Sequence, residues 1–151
     1  MRIQDILVPE ATLRKPGVRA REVLLRELVD RLAKAGRVLD RDRVYDDLLI
    51  RESEQGTGLG HGVAIPHCRS EGVDELSAAF ALCPEGVAFE SVDGKPCRFV
   101  VVLLSPLKAD MSHVQALARV ARLLRRDEVQ QELLAAASVD DLNRILLSHD
   151  E

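Results

Sequence analysis

Residues 51–69 hold the densest set of groups in this chain that could do chemistry: Arg51, a glycine-rich run, and then Ile65-Pro66-His67-Cys68-Arg69. Glycines alternate with other residues at Gly56, Gly58, Gly60 and Gly62. Such a run lets the backbone take positive φ, approach another segment closely, or turn successive N–H groups onto an anion. Pro66 fixes its own φ and restricts Ile65 to an extended conformation, so the lead-in to His67 is stiff. Flexible loop, rigid approach and single imidazole together suit the presentation of a nucleophile.

Each candidate group has a plainer alternative. His67 could cap a strand at the surface. Arg51 could sit at a helix C-terminus, where a cation meets the dipole favourably. His113 falls on one helical face with Leu117, Val120 and Leu124, so it is either a satisfied core histidine or a site residue. The glycines do not spell a dinucleotide fingerprint, and no Lys-Ser/Thr follows them as in a nucleotide P-loop. His61, His67 and Cys68 match no standard zinc spacing. On extended backbone His67 and Cys68 face opposite ways, which disfavours a Cys–His pair. His149 reads as solvated.

The elements that must position these groups follow from composition and periodicity. The 151 residues are 46% hydrophobic and 30% charged, which fits a single α/β domain spanning 1–151. Aromatics are only 3%, leaving an aliphatic core and few platforms for stacking nucleic-acid bases. A net charge of −4 also argues against general nucleic-acid binding. No apolar run approaches the ~20 residues of a membrane span, and no signal-peptide pattern opens the chain. Cys68, Cys83 and Cys97 are an odd number without CxxC spacing, as expected of free thiols in the cytoplasm.

In chain order, Ile3 to Val8 reads as a brief helix or edge segment, followed by a turn around Lys15-Pro16-Gly17. Leu24, Leu25, Leu28, Val29 and Leu32 predict an amphipathic helix over 20–35, ended by Gly36. A second helix is predicted from Asp40 to about Glu52, with Val44 and Leu48 inward. Continuing that face brings Arg51 and Glu52 towards the buried side. Ala78 to Leu82 and Val87 to Phe89 read as separate strands broken at Pro84-Glu85-Gly86, with a turn at Asp93-Gly94. Phe99 to Leu104 is apolar without alternation, as in a central strand covered on both faces. Helices are predicted from about Ala109, over 127–136, and after Ser138-Val-Asp-Asp141, which resembles a capping box. The expectation is a mixed, mostly central β-sheet flanked by helices on both faces.

The stretch from Glu52 through Leu59-Gly60-His61-Gly62-Val63-Ala64-Ile65-Pro66-His67-Cys68 resembles the phosphorylation-site signature of the type-2 enzyme IIA family of the bacterial phosphoenolpyruvate-dependent phosphotransferase system. The resemblance extends along almost the whole chain, with Arg51 at the start of the stretch and, after Pro106, His113-Val-Gln-Ala-Leu117 opening a helix. Cys68 and Arg69 stand where the family often has glycine and lysine, and His61 where asparagine or glutamate is common. The resemblance implies that His67 accepts a phosphoryl group from the phosphohistidine of a small carrier protein. It gives Arg51 and His113 the role of stabilising that group, and the loop of Gly58, Gly60, Gly62 and Pro66 that of cradling it. No metal or cofactor is implied. The phosphoryl group would pass to a IIB domain of fructose or mannitol uptake, or serve as a nitrogen-type regulatory mark read by target proteins. The second is favoured here because no membrane segment is attached. A homodimer is one possible assembly, and a non-catalytic regulatory binding module is the alternative of another class.

Overall fold

The computed structural model describes residues 1–15, 17–109 and 111–150. Pro16, in the expected turn after Lys15, lies outside the described residues. Helix α1 (Ile3–Ile6) and a single 3₁₀ turn precede the short strand β1 (Leu13–Arg14). Helix α2 (Arg21–Lys34) buries the five predicted apolar residues and ends before Gly36, whose φ of +79° few other residues would tolerate. Helix α3 (Arg41–Glu54) starts at Asp40, whose carboxylate accepts from the Arg43 N–H at 3.2 Å. Val44, Leu48 and Glu52, four residues apart, are its buried face.

Strands β2 (Gly58–Gly60), β3 (Val63–Ala64) and β4 (His67–Ser70) follow, then the long pair β5 (Ser77–Val87) and β6 (Cys97–Pro106). The two strands expected at 78–82 and 87–89 are therefore one, and Phe89 lies beyond its end. The break was expected because Pro84 offers no N–H. Instead the register shifts between Leu82 and Val87, and Gly86 takes a φ of +86°. An irregularity of this kind absorbs the missing donor and lets the strand continue. The carbonyl of Pro84 is held by Arg98 Nε at 3.0 Å. Asp93-Gly94 does form a turn, with Asp93 Oδ1 accepting from the Lys95 N–H.

The sheet is mixed, ordered β1-β5-β6-β3-β2, with β4 also pairing with β6. β6 is central: it runs antiparallel to β5 and parallel to both β3 and β4. Alternate residues of β5 and β6 face opposite layers, which is why neither strand alternates in polarity. Ala79, Ala81, Val100, Val102 and Leu104 pack under α2 and α3. Phe80, Leu82, Phe99, Val101 and Leu103 pack under α4 (Met111–Leu124), α5 (Asp127–Ala135) and α6 (Val139–Ser148). Helices thus cover both faces, as expected. Ser138 Oγ caps α6 by accepting from the Asp141 N–H at 3.1 Å. The Asp141 carboxylate reaches the Ala137 N–H rather than that of Ser138, so the expected box is only half made.

Candidate functional site

Three elements meet at one end of β6: the last turn of α3, the start of β4 and the first turn of α4. The carbonyl of Pro66 accepts from the Leu103 N–H at 2.9 Å, and His67 then pairs in register with Leu103. That pairing fixes the backbone on which His67 stands. Its ring is half-buried in a cleft of about 420 Å3 shared with Arg51 and His113.

The ring's orientation follows from its contacts. Nδ1 of His67 lies 2.6 Å from the Ile65 carbonyl oxygen. A carbonyl can only accept, so Nδ1 carries the proton of the neutral ring and Nε2 presents a lone pair. Nε2 faces Arg51 Nη2 at 3.4 Å. The same guanidinium is steadied by Nη1 donating to the Gln55 carbonyl at 3.1 Å, across the end of α3. Burial lowers the pKa of His67, the hydrogen bond to Ile65 opposes this, and the charge of Arg51 lowers it further. The net effect favours the neutral ring.

His113 approaches from the other side. Its ring centroid lies 5.5 Å from that of His67, with the planes tilted by 56°. It is 6% exposed, and its Nδ1 is hydrogen-bonded to Ser105 Oγ at the end of β6. Burial pushes its pKa down to about 4, helped by repulsion from His67, Arg69 and Arg51. His113 is thus both a buried residue and a member of the cleft. Neither alternative reading was complete alone.

The structure brings Arg51, His67 and His113 together but does not bring the glycine run to them. Gly58, Gly60 and Gly62 do not line this cleft, contrary to the expected cradle. Gly58 exists for close packing: a Cβ there would sit 2.6 Å from Ser91 Cα. Gly62 takes a φ of +77° and offers its carbonyl to the N–H groups of Arg98 and Phe99. Phe99 is four residues from Leu103, roughly 13 Å along the strand, so the glycine turn serves the opposite end of β6. Pro66, having no N–H, offers no donor to an anion and acts as the stiff lead-in alone.

Cys68 packs into the core under α2 and α3, and burial raises its thiol to about 12, which removes the thiol-nucleophile reading. His61 stands on the glycine turn, away from His67, with a φ of +57°. His149 is partly covered and bonded to Glu132.

Sequence reasoning missed several contributors. Arg43, Asp47 and Arg69 line the cleft. Arg43 is paired with Asp47 at 3.2 Å, and Arg69 donates to the Ala109 carbonyl. Glu52, expected on the buried side, is 2% exposed, but its partner was not expected: it accepts from both the N–H and the hydroxyl of Thr57, at 3.0 and 2.6 Å, tying α3 to the start of the glycine run. A signal for Ser105 existed: it is a lone hydroxyl closing an apolar strand eight residues before His113.

A helix-flanked mixed sheet thus holds one imidazole between a guanidinium and a second imidazole. Residues 5–149 match the family described as the phosphoenolpyruvate-dependent sugar phosphotransferase system, EIIA 2, and the chain belongs to that family. It is a phosphocarrier of that system. The chain is 36% identical over 148 residues to a nitrogen regulatory protein of Bradyrhizobium diazoefficiens, covering 97% of this chain and 95% of that one. It is 38% identical over 119 residues to the fructose-specific EIIA component of Haloferax volcanii, covering 79% and 77%. Against the fructose-specific EIIABC component of Bacillus subtilis it is 34% identical over 151 residues but spans only 24% of that protein's length. Among solved structures, the nitrogen regulatory protein IIA-Ntr of Neisseria meningitidis superposes with a TM-score of 0.85 at 31% identity, covering 95% of this chain and 98% of that one. No helix among the described residues is long and apolar enough to cross a membrane.

Proposed function

We propose that His67 Nε2 is the atom that carries the phosphoryl group. The observation that supports this most is the hydrogen bond from Nδ1 to Ile65, which leaves Nε2 as the lone pair facing Arg51. The donor is the phosphohistidine of a small carrier protein. Its N–P bond breaks as a new N–P bond forms at Nε2, and the donor imidazole leaves with the electron pair. Nδ1 of His67 keeps its proton throughout, so no general base is needed. Charge spreads over the equatorial oxygens in the transition state, where Arg51 can take two of them with its planar fork. With the Ser105 hydroxyl donating to Nδ1 of His113, Nε2 of His113 bears a proton and donates to the same group.

The protein works in the cytoplasm as a nitrogen-type regulator, its phosphorylation state read by target proteins. The near full-length match to a nitrogen regulatory protein supports this. The second reading is fructose uptake with transfer to a IIB domain, favoured by the 38% identity to a fructose-specific EIIA. The mannitol IIA of Escherichia coli, which shares the fold at a TM-score of 0.76, forms a complex with a phosphorylated IIB.

Incubation with phosphoenolpyruvate, enzyme I and the carrier protein should deposit an acid-labile phosphate that His67→Gln abolishes. A folded His67→Gln protein that still takes the label overturns the assignment. Adding a fructose IIB domain separates the two roles: rapid loss of label to IIB supports uptake, and retention supports regulation.

A further inference from the structure

The glycine run, freed from the His67 cleft, walls a larger one. At the other end of β6 a cleft of about 760 Å3 lies between the β2–β3 turn, the 92–96 turn and the α4–α5 junction. Its size falls within the range that takes a small organic ligand. Leu59 and the exposed Val92 supply apolar surface, and Lys95, Arg98 and Arg125 supply cations. Two carboxylates, Glu85 and Asp93, also reach it but are engaged by backbone and side-chain donors. Glu85 accepts from the Gly17 N–H at 2.6 Å, and Asp93 accepts from Ser91 Oγ and the Lys95 N–H at 3.0 Å each. Among the described residues no carboxylate forms an ion pair with Arg98 or Arg125.

Two further observations give the cleft a built wall. Gln130 Nε2 donates to the His61 carbonyl at 2.9 Å and to that of Leu124 at 2.7 Å, pinning the glycine turn to the α4–α5 junction. Arg125 also lines a second concavity of about 430 Å3 with Arg122, Asp150 and Arg126, the last paired with Glu128 at 2.6 Å. In a chain with a net charge of −4, the three cations of the first cleft outnumber its two carboxylates, so its surface is locally positive.

We propose that this cleft is a second ligand site, taking a phosphorylated small molecule of sugar-phosphate or mononucleotide size. The phosphate is held by Arg98 and Arg125, for which a planar fork is the natural partner. The organic body lies on Leu59 and Val92 against the glycine turn. The site goes beyond the carrier reading of His67 and stands or falls separately from it.

The test titrates the whole protein with AMP and with fructose 6-phosphate, and in parallel arms with inorganic phosphate and with adenosine, followed by backbone amide NMR and calorimetry. At least one phosphomonoester should give saturable shifts at Gly60, Gly62, Lys95 and Arg98, and adenosine should not. Arg98→Gln and Arg125→Gln should each weaken binding by about tenfold, the effect of losing one charged hydrogen bond. Labelling of His67 should be unchanged in both variants, which also shows that they fold. Shifts from inorganic phosphate at the same amides would assign the anion-binding half alone and overturn the larger ligand if neither phosphomonoester binds tighter. Absence of saturable binding, shifts confined to His67 and Cys68, or undiminished binding in the double variant each overturns the proposal.

Discussion

Replacing Arg51 by glutamine gives the sharpest test of the proposed transfer chemistry, because a pH-independent effect and a pH-dependent one can be separated. Arg51 Nη2 stands 3.4 Å from His67 Nε2. At that separation and an effective dielectric of ~20, two unit charges interact by about 5 kcal/mol, a ceiling on what the guanidinium could add to a developing phosphoryl charge. Removal of one preorganised donor costs about 2.7–4 kcal/mol, or ~10²–10³ in rate, which lies below that ceiling. The second effect acts on the nucleophile. Arg51 helps to lower the pKa of His67, so its loss lets that pKa rise and protonates more of the ring at a given pH. Single-turnover transfer from the phosphorylated carrier, measured by rapid quench from pH 5.5 to 8.5, reads both. At high pH the deficit should be the loss of charge stabilisation alone, and it should widen as pH falls. Arg51→Lys keeps the charge but not the fork, and should recover part of the rate at high pH. If Arg51→Gln transfers within about twofold of the native rate at pH 8, the guanidinium contributes under ~0.5 kcal/mol and the reasoning fails.

Stability should depend on pH through His113. Its folded pKa of about 4 lies below the ordinary 6.5, so the unfolded chain binds more protons between these values. This contribution is intact above pH 6.5 and lost as pH falls towards 4, reaching about 3 kcal/mol at ~1.36 kcal/mol per pH unit. Urea unfolding of the native protein and His113→Gln should therefore converge at low pH, and parallel curves would contradict it. Thr57→Val removes one donor from the buried Glu52 carboxylate and should cost about 1–3 kcal/mol in the same assay. The three cysteines, all buried with thiols at about 11 to 12, should resist DTNB in the folded protein and react fully in denaturant.

Much of the fold was legible because burial leaves a periodic trace. Val44 and Leu48 pointed to Glu52 as an inward residue, and it is 2% exposed. The unalternating run 99–104 indicated a strand covered on both sides, and β6 is that strand. What stayed hidden depends on register and on which end of a strand a loop serves. Pro84 signals a missing donor, but only pairing with β6 shows that a bulge takes it up. The glycine run was correctly seen as a place of close approach, yet what it approaches is the 90–92 segment and Phe99 rather than His67. Nothing local to residues 58–62 encodes that choice. It follows from β3 pairing at Phe99 while β4 pairs at Leu103.

That separation has a consequence for the carrier chemistry. A cradle of backbone N–H groups around His67 would grip the phosphoryl group in the ground state as firmly as in transit, and uniform binding slows release. The cleft instead offers a limited set of groups. Arg43 is paired with Asp47 and lies 3.8 Å from Glu71, and Arg69 is tethered to the Ala109 carbonyl. Arg51 is the cation in contact with Nε2, and His113, with its pKa at about 4, is neutral at physiological pH. In the proposed transfer, one full charge and one neutral donor would stabilise the dispersed charge without trapping the product. A carrier that must give up its phosphoryl group as readily as it takes it is better served by this sparse arrangement than by the closed anion nest that the glycine spacing suggested.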